Sequence, residues 1–252
     1  MDWKLLTTAI EVGKVALDEK KRNALVSKLK QMMRKNRRII VFGVSGTGKT
    51  QFINSLRGKL SVPTRTLANH TFDYAIDDYP IKFLDTPGHS TLYDRKKAIQ
   101  EILAEGVEGV INVTSYGYEE NPEVELSHIF DEEENVRESF LSANRQGELE
   151  RLGEWLPWID QKNVGWLINL VNKADVWWDD VEKVNAYYAN GTYAGKFEKI
   201  KDFRHVSTLP YCSIIKPYYD VRNSGRFGEI QKGQLICQLI DQLETLIKEA
   251  DD

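Results

Sequence analysis

The sequence predicts an α/β sandwich built on a mostly parallel sheet, and three observations carry that reading. Short apolar β-prone runs alternate with helical segments along most of the chain. A glycine-rich stretch, Gly43 to Thr50, sits directly between an apolar run and the opening of a helix. No internal repeat and no Pro/Gly/Ser-rich linker divides the 252 residues, which favours one domain with appendages.

Taken in order, the first segment, about Trp3 to Lys35, reads as a helix. Leu6, Ile10, Gly13 and Leu17 share one face, and Leu25, Leu29 and Met32 continue a stripe. Residues 1–36 thus form a basic amphipathic extension, and 37–252 the main domain. Between Lys4 and Arg38 lie eleven Lys/Arg, against the acids Asp2, Glu11, Asp18 and Glu19. Such a face suits packing on its own domain or a partner, or peripheral membrane contact with Trp3 near its start. The acidic interruptions favour packing.

Ile39 to Phe42 is a wholly apolar strand ending in glycine, and Gln51 to Leu56 opens a helix. Phe72–Ile76 and Ile81–Leu84 read as a hairpin turning at Asp77-Asp78-Tyr79-Pro80. Val107–Val113 and Val164–Val171 are buried-strand candidates, His205–Ile215 a weaker one, and Gln234–Glu249 an amphipathic closing helix. From Glu119 to Glu138, nine acidic residues face the single basic Arg137. That stretch, within about 116–138, reads as a solvated insertion before a helix over Glu138–Ile159. The pairs Trp155/Trp158, Trp177/Trp178 and Tyr187/Tyr188 point to core or partial burial.

The apolar share of 41% builds a real core, and a formal charge of −4 argues against nucleic acid as a partner. Two isolated cysteines, Cys212 and Cys237, indicate a reducing compartment rather than a disulfide framework. No signal-peptide core opens the sequence, and no run approaches the roughly 20 apolar residues of a membrane span. A cytoplasmic protein, with membrane contact only at its periphery, is expected.

Gly43-Val44-Ser45-Gly46-Thr47-Gly48-Lys49-Thr50 matches G-x-x-x-x-G-K-[ST]. Glycines at these positions let successive backbone N–H groups point inward and cradle phosphate oxygens. Lys49 would reach the β and γ phosphates, Thr50 would ligate Mg²⁺, and the helix continuing through Gln51 adds its N-terminal dipole.

Downstream, Asn172-Lys173-Ala174-Asp175 follows a strand, and Asp85-Thr86-Pro87-Gly88 lies between the two motifs. In this order the motifs resemble the translation-factor-like class of P-loop GTPases over about Arg37 to Ala250. The resemblance implies a three-layer sandwich on a six-stranded sheet with one antiparallel edge strand, and GTP and GDP as ligands. It implies that Asp175 accepts from guanine N1–H and N2–H₂, that the Lys173 stem packs over the ring, and that Asn172 ties its loop to the phosphate loop. A further base contact is implied after the sixth strand, where Tyr211 to Ile215 departs from the usual S-A-K; Ser213 and Ile214 occupy the place.

The resemblance also implies that Asp85 holds Mg²⁺, through water, and that the Gly88 amide meets the γ-phosphate. His89 stands where such enzymes carry a water-positioning residue, although a loop histidine also suits a solvent- or partner-facing role. The Mg²⁺-ligating switch threonine is Thr66, with Thr71 second. Arg65 reads as a solvated loop arginine before a cis finger. Ser45, close to the γ-phosphate, would obstruct an arginine inserted by a partner. The expected function is a Mg²⁺-dependent GTP-hydrolysing switch acting on a protein effector. The alternative is a GTP-dependent assembly module of the septin or dynamin kind that self-associates. An ATP-using protein is disfavoured by Asp175.

Overall fold

The computed structural model describes residues 37–56, 70–76, 79–85, 97, 99–100, 103–104, 106–160, 164–197, 204–220 and 225–249. The basic extension at 1–36 and the expectations for Arg65, Thr66, Gly88 and His89 fall outside them. So does the hairpin turn at Asp77-Asp78.

The strands are β1 (Arg37–Gly43), β2 (His70–Ile76), β3 (Tyr79–Asp85), β4 (Gly109–Thr114), β5 (Trp166–Val171) and β6 (His205–Pro210). Helices α1 (Lys49–Leu56), α2 (Leu126–Ile129), α3 (Glu138–Asp160), α4 (Ala174–Trp177), α5 (Val181–Ala189), α6 (Gly191–Phe197) and α7 (Glu229–Glu249) connect and follow them. The sheet order is β2-β3-β1-β4-β5-β6. β1 runs parallel to β3 and β4, β4 to β5, and β5 to β6. β2 pairs antiparallel with β3.

Strands buried on both faces must be apolar throughout, which is why Ile39 to Phe42 reads as a continuous run and is fully buried. Alternate residues then serve opposite cores. Ile40 and Phe42 join Val110 and Leu167 under α3, where Phe42 stacks on Trp155 at 4.5 Å between ring centroids. Ile39 and Val41 join Ile111 and Ile168 on the other face, under Phe52 of α1 and the Leu239, Leu243, Leu246 stripe of α7. The aromatic pairs divide as expected: Trp155, Trp177 and Tyr188 are buried, while their neighbours Trp158, Trp178 and Tyr187 are half-buried.

Several boundaries shift. β6 stops at Pro210, because the chain then turns toward α4, with Ala174 N–H donating to the Tyr211 carbonyl. The closing helix starts five residues earlier than predicted, at Glu229. The acidic stretch needs a larger correction. Tyr118, Ile129 and Phe130 are buried, and a β-bridge joins Phe130 to Val136. Only part of the segment, including Glu123, Glu125 and Glu132 to Glu134, faces solvent. Counting charge does not reveal where apolar anchors fold a segment back.

β1 has neighbours reached in opposite directions across the sheet, β3 on one side and β4 on the other. The carboxyl ends of such strands leave a crevice where the order reverses, and the described residues of the phosphate loop and of the loops after β5 and β6 lie around it. Among the described residues, no helix is long and apolar enough to cross a membrane.

Candidate nucleotide site

β1 delivers Gly43 to the crevice, and α1 begins at Lys49. The intervening loop holds Gly46 at φ 84° and Gly48 at φ 89°, in the region that favours glycine. Close approach adds to the demand. A Cβ on Gly46 would lie 2.5 Å from the Glu120 carbonyl oxygen, and one on Gly48 2.5 Å from Asn172 Nδ2. Thr47 is fully buried and its hydroxyl donates to the Val44 carbonyl at 3.0 Å. Lys49 Nζ donates to the Gly43 and Val44 carbonyls, each at 2.9 Å. Ser45, Thr50 and Gln51 are half-buried along the same turn.

β3 ends at Asp85, whose register partner on β1 is Val41, two residues before Gly43. Asp85 and Thr50 are therefore held at one end of the sheet. These are oxygen donors of the kind Mg²⁺ takes, and that ion completes its shell with water and substrate phosphate. Among the described residues, no group of three or more His, Cys, Asp or Glu could hold a metal by itself.

The loop after β5 is tied to its surroundings through Asn172. Its Nδ2 donates to the Thr47 carbonyl at 2.8 Å, and its Oδ1 accepts from the Ser213 N–H and hydroxyl, each at 3.0 Å. One side chain thus joins the phosphate loop, the loop after β5 and the loop after β6. The Ser213 N–H, expected to reach a base, is directed at Asn172 instead. Ile214 is half-buried, and its carbonyl faces the Cys212 thiol at 3.3 Å.

Asp175, 2% exposed, lies in the first turn of α4. Its Oδ2 accepts from the Lys216 N–H at 3.1 Å and its Oδ1 faces the Cys212 thiol at 3.4 Å. Burial raises its carboxyl above the ordinary value, against the pull of those hydrogen bonds. Each oxygen keeps a lone pair for a further donor. Sequence reading stopped at Ile214 and missed Lys216, the next lysine in the same loop.

Lys173 takes a left-handed backbone, φ 61° and ψ 38°, and is 7% exposed. Its ammonium donates to the Tyr118 carbonyl at 2.7 Å, meets Glu120 at 3.3 Å and lies over the Tyr218 ring at 5.4 Å. Burial lowers the lysine, with Glu120 opposing. For Glu120 burial alone would raise the carboxyl, but Lys173 and Lys216 outweigh it and hold the acid below its ordinary value. The two shifts differ in outcome because Lys173 is more enclosed, whereas Glu120 has two cations.

Beneath this loop lie two further carboxyls. Glu148 of α3 accepts from Ser115 N–H at 2.7 Å, Gly117 N–H at 3.4 Å and Tyr188 hydroxyl at 2.7 Å. Burial nevertheless raises it. Glu119 Oε1 is buried without a hydrogen-bond partner. Burial, with Glu148 adding to it, pushes the Glu119 carboxyl from 4.5 up to about 9, against Lys173 and Lys49. Between those values the folded state holds a proton the unfolded state has lost, so this group makes stability fall as pH rises. Glu119→Gln is neutral throughout. Thermal melting from about pH 5 to about pH 9 is expected to show the variant's advantage over the parent growing with pH. A constant difference contradicts the assignment.

Residues 38–145 match the model of a family described as 50S ribosome-binding GTPase. Among solved structures the chain is similar to the mammalian SRP receptor, with TM-score 0.50 and 15% identity, over 83% of this chain and 100% of that one. It is also similar to a GTP-binding protein from the hyperthermophilic archaeon Sulfolobus solfataricus in complex with GDP. There the TM-score is 0.42 and the identity 16%, over 89% of this chain and 58% of that one. No curated protein matches the chain in sequence. The receptor likeness speaks to fold, and the family match spans the phosphate loop, β3 and β4. That match covers less than half of the chain, and the receptor likeness shows the shared fold.

Proposed function

We propose that this domain binds GTP and hydrolyses it to GDP and phosphate as a Mg²⁺-dependent molecular switch. One observation carries the reading: Asn172 bonds the phosphate loop at Thr47 while Asp175, three residues on, keeps acceptor capacity beside it. A loop that reads guanine donors is thereby fixed at a set distance from one that cradles phosphates.

In this reading the amides of Gly46 to Thr50 and the Lys49 ammonium hold the phosphates, and Lys49 exchanges its loop carbonyl bonds for phosphate oxygens. Mg²⁺ would be held by Thr50, Asp85 and the switch threonine, Thr66 or Thr71, and would neutralise charge on the phosphate oxygens. His89 orients a water for in-line attack on the γ-phosphorus. The bond from that phosphorus to the bridging oxygen breaks, and the water's protons pass to the products. The Gly88 amide senses the γ-phosphate, so its loss releases the loops on either side of the β2–β3 hairpin, the sheet's antiparallel edge.

His89→Ala is expected to lower single-turnover GTP hydrolysis about a hundredfold while leaving GTP affinity within about twofold. Hydrolysis at the parent rate removes His89 from the mechanism. A rate per molecule that climbs with protein concentration moves the reading to the self-associating assembly module.

A further inference from the structure

Three loops meet at Glu120. Its N–H donates to the Gly46 carbonyl at 3.3 Å, so its backbone lies on the phosphate loop. Its carboxylate meets Lys173 at 3.3 Å and Lys216 at 2.7 Å. Those lysines belong to the loops after β5 and β6, the same loops that carry Asp175 and the N–H bonded to it. Tyr218 and Tyr219 fix the segment from the far side, through the Glu119 carbonyl at 2.7 Å and the Asn121 N–H at 2.6 Å. Glu120 is thus an acid placed in the base-reading corner, next to the acid assigned to reading the base.

Lys173 stands two residues before Asp175, and Lys216 already places its backbone N–H on Asp175 Oδ2, so both ammonium groups are hazards for base recognition. A lysine that paired with Asp175 would occupy the acceptor lone pairs that guanine donors need, and in a buried site the pair would compete strongly with a neutral base. Lys216 is well placed to do so, since its own N–H already lies on Asp175 Oδ2. Glu120 pairs with both lysines and so draws their ammonium groups away.

We propose that Glu120 is a specificity-determining positioning residue for guanine, holding Lys173 and Lys216 off Asp175 so that its carboxylate stays open to the base. The proposal rests on the guanine reading above. It explains why a segment rich in acid turns Glu120 toward the two lysines rather than into solvent.

Calorimetric titration of the full chain with GDP and ADP tests it, on the parent, Glu120→Gln, Lys216→Met and the double variant. Gln keeps the shape and removes the charge. Glu120→Gln is expected to bind GDP about tenfold more weakly, with ADP, held by its phosphates alone, unchanged. In the double variant GDP affinity should recover at least about threefold over Glu120→Gln, because one of the two competing ammonium groups is gone. A merely structural Glu120 would lower both nucleotides together and would not be rescued by Lys216→Met. That pattern, or unchanged GDP affinity in Glu120→Gln, overturns the proposal alone. A parent that prefers ADP overturns the guanine reading and the proposal with it.

Discussion

Asp175→Asn is expected to weaken GTP and GDP about a hundredfold or more and to shift preference toward xanthosine nucleotides. The carboxylate is 2% exposed and accepts from the Lys216 N–H, the weakly donating Cys212 thiol and its own backbone N–H. Two guanine donors can be served by the lone pairs of its two oxygens. An asparagine amide puts a donor against one of those donors. Two charge-assisted bonds at about 1.5–3 kcal/mol each are lost, and every 1.4 kcal/mol or so is tenfold in affinity. Xanthine carries an oxygen where guanine carries its amino group, and so restores the match. Parallel titrations with the guanosine and xanthosine triphosphates check this. Unchanged GTP affinity with no gain for xanthosine removes Asp175 from base recognition.

The second large effect is on stability. Trp177 is 1% exposed, and its Nε1–H donates to the Asn172 carbonyl at 2.7 Å. It joins the core beneath α3 to the backbone of the loop after β5. Trp177→Ala should cost about 3–5 kcal/mol in denaturant unfolding, as large-to-small core substitutions do. Trp177→Phe keeps most of the packing and isolates the lost hydrogen bond, for which about 1–3 kcal/mol is expected. An alanine variant within about 1 kcal/mol of the parent would contradict the anchoring role.

What could be read from the sequence follows from what is local. The phosphate loop is set by eight consecutive residues, and the apolar run before it and the helix after it are local signals too. The strands β1, β4 and β5 were legible because burial on both faces demands unbroken apolar runs, and their parallel pairing followed from the helices between them. Glu120 was not legible as a site residue. Its partners Lys173 and Lys216 lie far along the chain, and its neighbours form a charge run that looks solvated. What folds the run inward is Tyr118, Ile129, Phe130 and Tyr218, which meet only after the loops of β4 and β6 are brought side by side. The Ser213 partner was hidden for a related reason. A strand's end can be estimated, but which N–H of the next loop faces the base depends on the Asn172 side chain that captures Ser213.

The most direct test of the central claim is to identify the nucleotide that the natively purified chain carries. Acid extraction followed by ion-exchange chromatography should yield guanine nucleotide, chiefly GDP, and the emptied protein should bind GDP with Mg²⁺ far more tightly than ADP. Adenine nucleotide in the extract, or equal affinity for the two diphosphates, would contradict the account.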